Sequence, residues 1–482
     1  RNHSRCRVAR PQSVEEVAAL FAEVRAAGGT IGLRGAGCSY GDAALNSGAV
    51  VLDCTALNRV LAWDPTTGIV TVEPGVTIAQ LWRHILPDGW WPTVVPGTSA
   101  VTIGGAAAAN VHGKNNWHAG CFGDYVLAFD LLLPDGRIVT CSRDEHADLF
   151  FAAIGGSGLL GCFTQLTLQA RRVYSGYVSE VQTAHTSLDA LLDALDAATG
   201  SATDLVAWTD TGASGKYLGR GLLKAGRDLA PGEDLHPARS LTVAAQEHRG
   251  LLMRSVPTAW VPRLARPLTT PLGVWAANRG QWLRGQAPGS RKPHLETYAA
   301  ANFLLDAIPN WRETYLPGGL IQHQSFIPRE AAAGAFREIL RRSQAAGIVP
   351  SLSVLKKHRG ADPPSRSEED GGVDPPSRSE RDRPAEFTLT YLLDGYSLAL
   401  DYPIHRGTEA RTLALLRELN DVVADHGGRC YFAKDSTVTA EQARRMFPAE
   451  RLARFAALKR QYDPQGLLTN DLYRRVLAPN LA

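Results

Sequence analysis

Arg34-Gly35-Ala36-Gly37-Cys38-Ser39-Tyr40-Gly41-Asp42 is the stretch on which the reading of this chain turns. The run Thr30–Leu33 before it reads as a strand, and the glycines that follow open a turn with no bulky side chain over the backbone. Such a turn lets several N–H groups converge on one anion, and Ser39 adds a hydroxyl donor. A turn without a ligand has the same composition, so this stretch alone decides nothing.

A second Gly-rich segment supplies the company it needs. Pro96-Gly97-Thr98-Ser99-Ala100-Val101-Thr102-Ile103-Gly104-Gly105 runs into the small-residue tract Ala106–Ala109 and then Asn110-Val111-His112-Gly113-Lys114-Asn115. Side chains this small let a large flat cofactor lie against the main chain, although close helix packing through alanine would use them too. Two such segments in one domain point to a dinucleotide. A third, Gly156-Ser157-Gly158-Leu159-Leu160-Gly161, has the spacing of a nicotinamide fingerprint but the wrong neighbours. That fingerprint needs a strand before and a helix after. Here the helix-like Glu145–Ala153 precedes, and the alternating strand Cys162–Leu168 follows.

Outward from these motifs, Ser13 caps an amphipathic helix with an acidic first turn and a closing Gly28-Gly29. Short β-rich runs follow at Thr30–Leu33, Ala49–Asp53, Val60–Trp63 and Ile69–Val72, then a helix over Thr77–Ile85. Strands recur at Val126–Leu133, Ile138–Cys141 and Phe163–Ala170, which makes the first lobe α+β. Past Tyr174 the texture changes, with a helix near Leu188–Ala198 and an aromatic-rich stretch from Trp275 to Trp311. Two copies of DPPSRSE, at Asp362–Glu368 and Asp374–Glu380, sit in a polar stretch that cannot build a core and reads as a flexible surface insertion.

At 482 residues the chain is too long for one ordinary core, so two lobes are expected. Its 51 basic and 48 acidic residues are too balanced to indicate a nucleic-acid partner. Only eight of the basic residues are Lys, as expected of an Arg- and Ala-rich bacterial proteome. Seven scattered cysteines without CxxC pairs fit reduced thiols in a cytoplasmic protein, and no Cys/His cluster has metal-ligand spacing. The apolar run Val94–Val111 is interrupted by Pro96 and by polar and Gly positions, so no integral membrane segment is expected. No signal peptide is visible, although a chain beginning at Arg1 is compatible with trimming.

Taken in order, RGxGxSYGD, PGTxxVTIGGAxAxxxHGKN and GGxGLxG resemble the FAD-binding domain of the vanillyl-alcohol-oxidase/p-cresol-methylhydroxylase (VAO/PCMH) superfamily. Within it the resemblance is strongest to the actinobacterial decaprenylphosphoryl-ribose 2′-oxidase branch. Gly427-Gly428-Arg429-Cys430-Tyr431-Phe432-Ala433-Lys434-Asp435-Ser436, Asp463-Pro464 and Asn470-Asp471 extend it to the C-terminal region. The resemblance implies a two-domain, PCMH-type fold with a substrate or cap domain built on an antiparallel sheet. Residues 1–174 would bind FAD, 175–426 would bind substrate with the insertion near 358–384, and 427–482 would return to the FAD domain.

It also implies that the FAD pyrophosphate lies on the backbone of Gly35, Ala36, Gly37, Cys38 and Ser39 and on Gly97 and Thr98, with Gly104, Gly105, His112 and Gly113 along the flavin. Arg34, Tyr40, Pro96, Val101, Ala109 and Cys162 would also contact the cofactor, with Tyr431 and Lys434 returning to the flavin edge. Covalent attachment in the superfamily commonly uses a His in the first Gly-rich loop. That position holds Cys38 here, so the implied flavin is non-covalent, with a thiol link through Cys38 or Cys121 as the minority alternative.

The implied reaction is oxidation of a hydroxyl on a sugar-like substrate by hydride transfer to flavin N5, with oxygen or a quinone as electron acceptor. By motif match Gln322, Gln324, Lys356 and Asp401 would face the sugar, and the alternating glutamines would share one strand face. Lys434 would stabilise the reduced ring and hold the substrate oxygen, with Tyr40 or His112 assisting proton transfer. Two departures reshape the pocket: Ala399 stands where the related oxidases have a reactive Cys, and Ala299-Ala300-Ala301-Asn302-Phe303 replaces an aromatic-rich segment. They favour a free or differently linked sugar, cyclitol or aminoglycoside-type intermediate, in antibiotic or cell-wall carbohydrate biosynthesis, over a lipid-linked ribose. The alternatives are an FAD-dependent reductase of an activated double bond and a flavin-binding protein without catalysis.

Overall fold

The computed structural model describes residues 4–247, 251–252, 256–257, 260–359 and 387–481; both DPPSRSE copies, and so the expected insertion, lie outside them. Ser13 accepts a hydrogen bond from the Glu16 N–H at 3.2 Å and starts the helix Val14–Ala26, whose Val17, Leu20, Phe21 and Val24 are buried. This helix covers a small parallel sheet of Arg7–Ala9, Val50–Asp53 and Ile31–Arg34. Beside it stands an antiparallel sheet in the order Val60–Asp64, Ile69–Val72, Cys162–Arg172, Val126–Leu132 and Ile138–Ser142. The short strand Trp90–Pro92 pairs with the far end of Cys162–Arg172.

The Gly-rich tract differs from its sequence appearance. Ile103–Ala108 is a helix, because the Thr102 hydroxyl caps it by accepting from the Gly105 N–H at 3.3 Å and its small residues pack closely. A Cβ on Gly104 would press against Pro74, so only glycine lets this turn seat so near its neighbour.

The remaining strands form one eight-stranded sheet, in the order His294–Thr297, Tyr177–His185, Gly221–Asp228, Asp204–Thr209, Leu352–His358, Gly395–Pro403, Leu320–Pro328 and Arg429–Cys430. Every neighbouring pair is antiparallel. The helices Arg329–Ala345 and Glu409–Asp425 pack against one face through Ala335, Phe336, Ile339, Leu415, Leu416 and Leu419. The other face is left for the cavity.

The end of the chain then returns to the first lobe. Ile31 bridges Leu468 in parallel, the Arg475 guanidinium grips both carboxylate oxygens of Asp42 at 2.8 Å, and the Ser47 hydroxyl donates to Asp471 at 2.6 Å. All seven cysteine thiols are unpaired. Among the described residues no helix is long and apolar enough to cross a membrane, and no group of three His, Cys, Asp or Glu side chains could hold a metal ion.

Candidate active site

Between the Gly-rich segments and the free face of the large sheet lies a cavity of about 470 Å³. Antiparallel register builds its sheet wall. Gln322 pairs with Asp401, Gln324 with Ala399, Leu352 with Asp401 and Val354 with Ala399. Because side chains alternate along a strand, this register puts Gln322, Gln324, Leu352, Val354, Lys356, Ala399 and Asp401 on one surface. Residues of opposite parity, among them Ile321, Ile327, Leu355, Leu398 and Leu400, fill the core behind.

The opposite wall is the backbone of residues 34–40, 96–98 and 101–109, joined by Gly155, Ser157, Gly158 and Gly161. Among the described residues, the N–H groups of Ala36, Gly37, Cys38, Ser39, Gly97 and Thr98 have no acceptor within the protein. Such a row of free donors on glycine-rich backbone suits a pyrophosphate, so the residues present fit FAD. The Thr98 hydroxyl is not among these donors: it donates to Asp306 at 2.6 Å, and the same carboxylate takes the Ser99 N–H at 2.7 Å. Asp306 thus ties the second Gly-rich loop to the substrate lobe.

The structure gathers all but one of the expected residues at the cavity, from Arg34–Tyr40, Pro96–Thr98, Val101, Gly104, Gly105, Ala109, His112 and Cys162 to Tyr431 and Lys434. Gly113 is the exception. It lies outside the wall, its α-carbon packed against Val95 and Asn115. Of the aromatic-poor segment Ala299–Phe303 only Asn302 reaches the cavity, while Tyr298 and Phe303 pack at a tilt against buried Trp91.

Lys434 comes from the turn after Arg429–Cys430, the last strand of the large sheet, and its Nζ lies 3.9 Å from the Tyr40 ring centroid. Loss of water pushes Lys434 down to about 8 despite the nearby Asp401 carboxylate. Lys356, half-buried in the same cavity, is pushed down to about 7 by lost water and then by the charges of Lys114 and Lys434. His112 is held well below the usual imidazole range by burial and then by Lys356, so it is neutral; the Gln324 amide reaches its Nε2 at 3.0 Å. Burial and then Asp401 hold the Tyr40 phenol well above its usual value, leaving it a hydrogen-bond donor. Tyr431 is fixed by donating to the Ala109 carbonyl at 2.9 Å.

Asp401 is fully buried, accepts a hydrogen bond from Gln322 and is pushed up to about 6 by lost water. A carboxyl with a folded value above its unfolded one loses its stabilising contribution as pH rises through about 6. Ionised Asp401 therefore costs the fold on the order of 3 kcal/mol near neutrality. Asp401→Asn is expected to raise the urea midpoint at about pH 8 and to leave it unchanged at about pH 4. Equal gains at both would place the cause elsewhere.

Several cavity residues gave no sequence signal. Arg312 enters from the turn Trp311–Tyr315, whose Trp311 ring lies 6.2 Å from Tyr40, and Tyr391 packs 4.1 Å from Tyr431. Outside the wall, the buried His358 ring packs 5.1 Å from His112 and is held by Asn116 and Ser397, each at 2.6 Å. Gly155 and Gly158 did carry a signal in their glycine spacing, since both sit at positive φ.

Comparison with known proteins agrees with this geometry. The family described as FAD binding domain matches residues 7–142, and the D-arabinono-1,4-lactone oxidase family matches residues 375–476. Decaprenylphosphoryl-beta-D-ribose oxidase of Mycolicibacterium smegmatis is 30% identical over 446 residues, 92% of this chain and 88% of the relative. L-gulonolactone oxidase of Bos taurus is 33% identical over 159 residues, 33% of this chain and 36% of the relative. The crystal structure of 6-hydroxy-D-nicotine oxidase from Arthrobacter nicotinovorans superposes with a TM-score of 0.63 at 18% identity, over 97% of this chain and 91% of that one, and shows the shared fold. With the donor-lined Gly-rich wall, the antiparallel substrate sheet and this full-length relationship together, the chain belongs to the FAD-dependent oxidoreductases of the VAO/PCMH superfamily.

Proposed function

We propose that the protein oxidises a hydroxyl group of a polar, sugar-like molecule lying between the flavin and the large sheet. The observation that carries this reading is the sheet wall itself, where Gln322, Gln324, Lys356 and Asp401 share one surface facing the Gly-rich cradle. Amides, an ammonium and a carboxyl in one cavity can bind several hydroxyls at once, whereas an apolar olefin would leave them unpaired at a cost.

When bound, FAD supplies the two-electron acceptor, taking hydride at N5. The chain's own residues do the rest. Gln322 and Asp401 orient neighbouring hydroxyls, and Lys434 holds the reacting oxygen over Tyr40. Lys356, poised near neutrality, or neutral His112 accepts the hydroxyl proton. Residues 1–174 and 427–482 hold the cofactor and 175–426 hold the substrate. The flavin is held without a covalent bond, as Cys38 in the first loop and the absence of His from residues 34–42 support. Ala399, opposite Gln324, adds space at the substrate wall, which favours a free or differently linked sugar or cyclitol.

Anaerobic mixing of the purified yellow protein with a panel of sugars, cyclitols and aminocyclitols tests the proposal. Bleaching of the visible flavin band by one or more polyols is expected. A flavin that no polyol bleaches, but that an enone reoxidises after chemical reduction, would overturn the proposal in favour of a reductase.

A further inference from the structure

The helix Pro271–Gly285 is seated on the large sheet by its inner face. The Asn278 amide donates to Asp210 Oδ1 at 3.1 Å and to Thr211 Oγ1 at 3.2 Å, Trp282 lies 4.7 Å beneath the Arg220 guanidinium, and Val274 is buried. A Cβ on Gly285 would collide with Leu222, which marks how closely the helix sits. Its outer face should therefore be polar. Instead Leu272 is 75% exposed, Trp275 59% and Leu283 53%, at helical spacing along one outward stripe. The preceding turns add Trp260, Leu264 and Leu268, so six of the fifteen large exposed apolar side chains among the described residues fall within 260–283.

Charge accompanies this apolar surface. From residue 248 to residue 295 the sequence contains no Asp or Glu, while Arg263, Arg266, Arg279, Arg284, Arg291 and Lys292 are all exposed. The Asp210 carboxylate lies under the inner face, where it takes the Asn278 amide, and the packed turn Trp311–Tyr315 carries Glu313, whose backbone carbonyl accepts from Arg266 Nε at 3.3 Å. Outward Trp and Leu side chains among cations, with no carboxylate on the same elements, are the chemistry of a helix lying in the headgroup region of an anionic bilayer.

We propose that residues 260–292 form a docking surface for an anionic lipid bilayer, holding the protein peripherally on a membrane. The segments Val261–Leu264 and Arg266–Thr269 pack on Trp311–Tyr315, the turn that places Arg312 in the cavity wall. Docking therefore brings the lipid surface next to the elements that frame the active site. A second copy of the chain or a protein partner would be expected to bring carboxylates, and a copy of this same surface brings only like charge.

Vesicle flotation of the flavin-loaded protein tests this. Vesicles with about 30% phosphatidylglycerol in phosphatidylcholine should carry the protein upward, phosphatidylcholine alone should carry far less, and about 0.5 M NaCl should weaken the effect. Leu272→Ser, Trp275→Ser and Leu283→Ser together should lower partitioning at least about tenfold, since outward side chains lose only lipid contact. Arg279→Gln with Arg284→Gln should lower it about fivefold for each charge removed. Flavin absorbance and urea midpoint should stay unchanged in all variants. Failure of the wild type to float with anionic vesicles, or equal flotation of the triple serine variant, overturns the proposal. So does a concentration-dependent dimer, seen by light scattering, that the serine variant abolishes while the wild type ignores vesicles.

Discussion

Lys434→Met lowers the rate of anaerobic flavin bleaching by the accepted polyol about 10²–10³-fold, the range for removing one preorganised donor from a developing negative charge. The side chain is delivered to the cavity by the turn after Arg429–Cys430, and its ammonium lies over the Tyr40 ring and close enough to Asp401 to feel its charge. Among the described residues no other cation lies over the Tyr40 ring: Lys356 projects from the sheet and Arg312 from the turn Trp311–Tyr315. Methionine keeps the length and packing of the side chain, so the yellow protein should be recovered with its flavin. The loss should fall on kcat and kcat/KM together, the pattern of an interaction made in the transition state.

The pH profile gives the same residue a second test. Lys434 is pushed down to about 8, so its charged form, the one proposed to hold a substrate oxygen, disappears as pH rises through that value. The profile of kcat/KM should therefore fall above about pH 8, and Lys434→Arg, which stays charged, should move that descending limb upward. Bleaching within about threefold of the wild type in the methionine variant would remove Lys434 from the reaction.

Gly41→Val is expected to release flavin and destabilise the protein together. Glycine is required here by space rather than by φ: a Cβ would fall almost on the carbonyl oxygen of Asp435. The preceding Tyr40 N–H donates to the Ala433 carbonyl at 2.9 Å, and Arg475 joins Asp42 to Asp435. Forcing a side chain between these backbones costs about 1–3 kcal/mol or more and displaces the loop whose free N–H groups line the cavity. Gly200→Ala, where a Cβ would meet nothing, serves as the control and should change stability by no more than about 0.5 kcal/mol. Retention of flavin through gel filtration by the Gly41 variant would show that the return of the C-terminal region is not needed to hold the cofactor.

Much of this was legible in the sequence because local chemistry wrote it. Ser13 and Thr77 announce helix starts by their own side-chain bonds, and Thr77 forms a capping box with Gln80. The third Gly-rich segment could be set aside because its neighbours, a helix over Ala147–Ala153 and a strand over Cys162–Arg172, have the reverse order of a nicotinamide site. Alternation placed Gln322 and Gln324 on one face. What stayed hidden depends on pairings across long stretches of chain. Nothing in Leu398–Pro403 says that Asp401 will sit opposite Gln322, or in residues 310–315 that Arg312 will face Lys434's cavity. The helix Ile103–Ala108 was hidden by Gly104 and Gly105, which propensity counts against a helix, while close packing on Pro74 requires the first and the Thr102 cap crowds the second. Trp90–Pro92 is a strand only because Cys162–Arg172 extends far enough to pair with it.

The return of the chain to its first lobe also sets an order in time. A ribosome makes residues 31–42 long before 434–475, yet Tyr40, Gly41 and Asp42 find their partners at Ala433, Asp435 and Arg475. A nascent chain still lacking those residues can form the helix Val14–Ala26 and its sheet, but its cofactor loop has no backing and its cavity no Lys434. The cofactor loop is therefore backed only after residue 475 has been synthesised, and a chain cut short before residue 434 lacks both that backing and one wall of the cavity however well its first lobe folds.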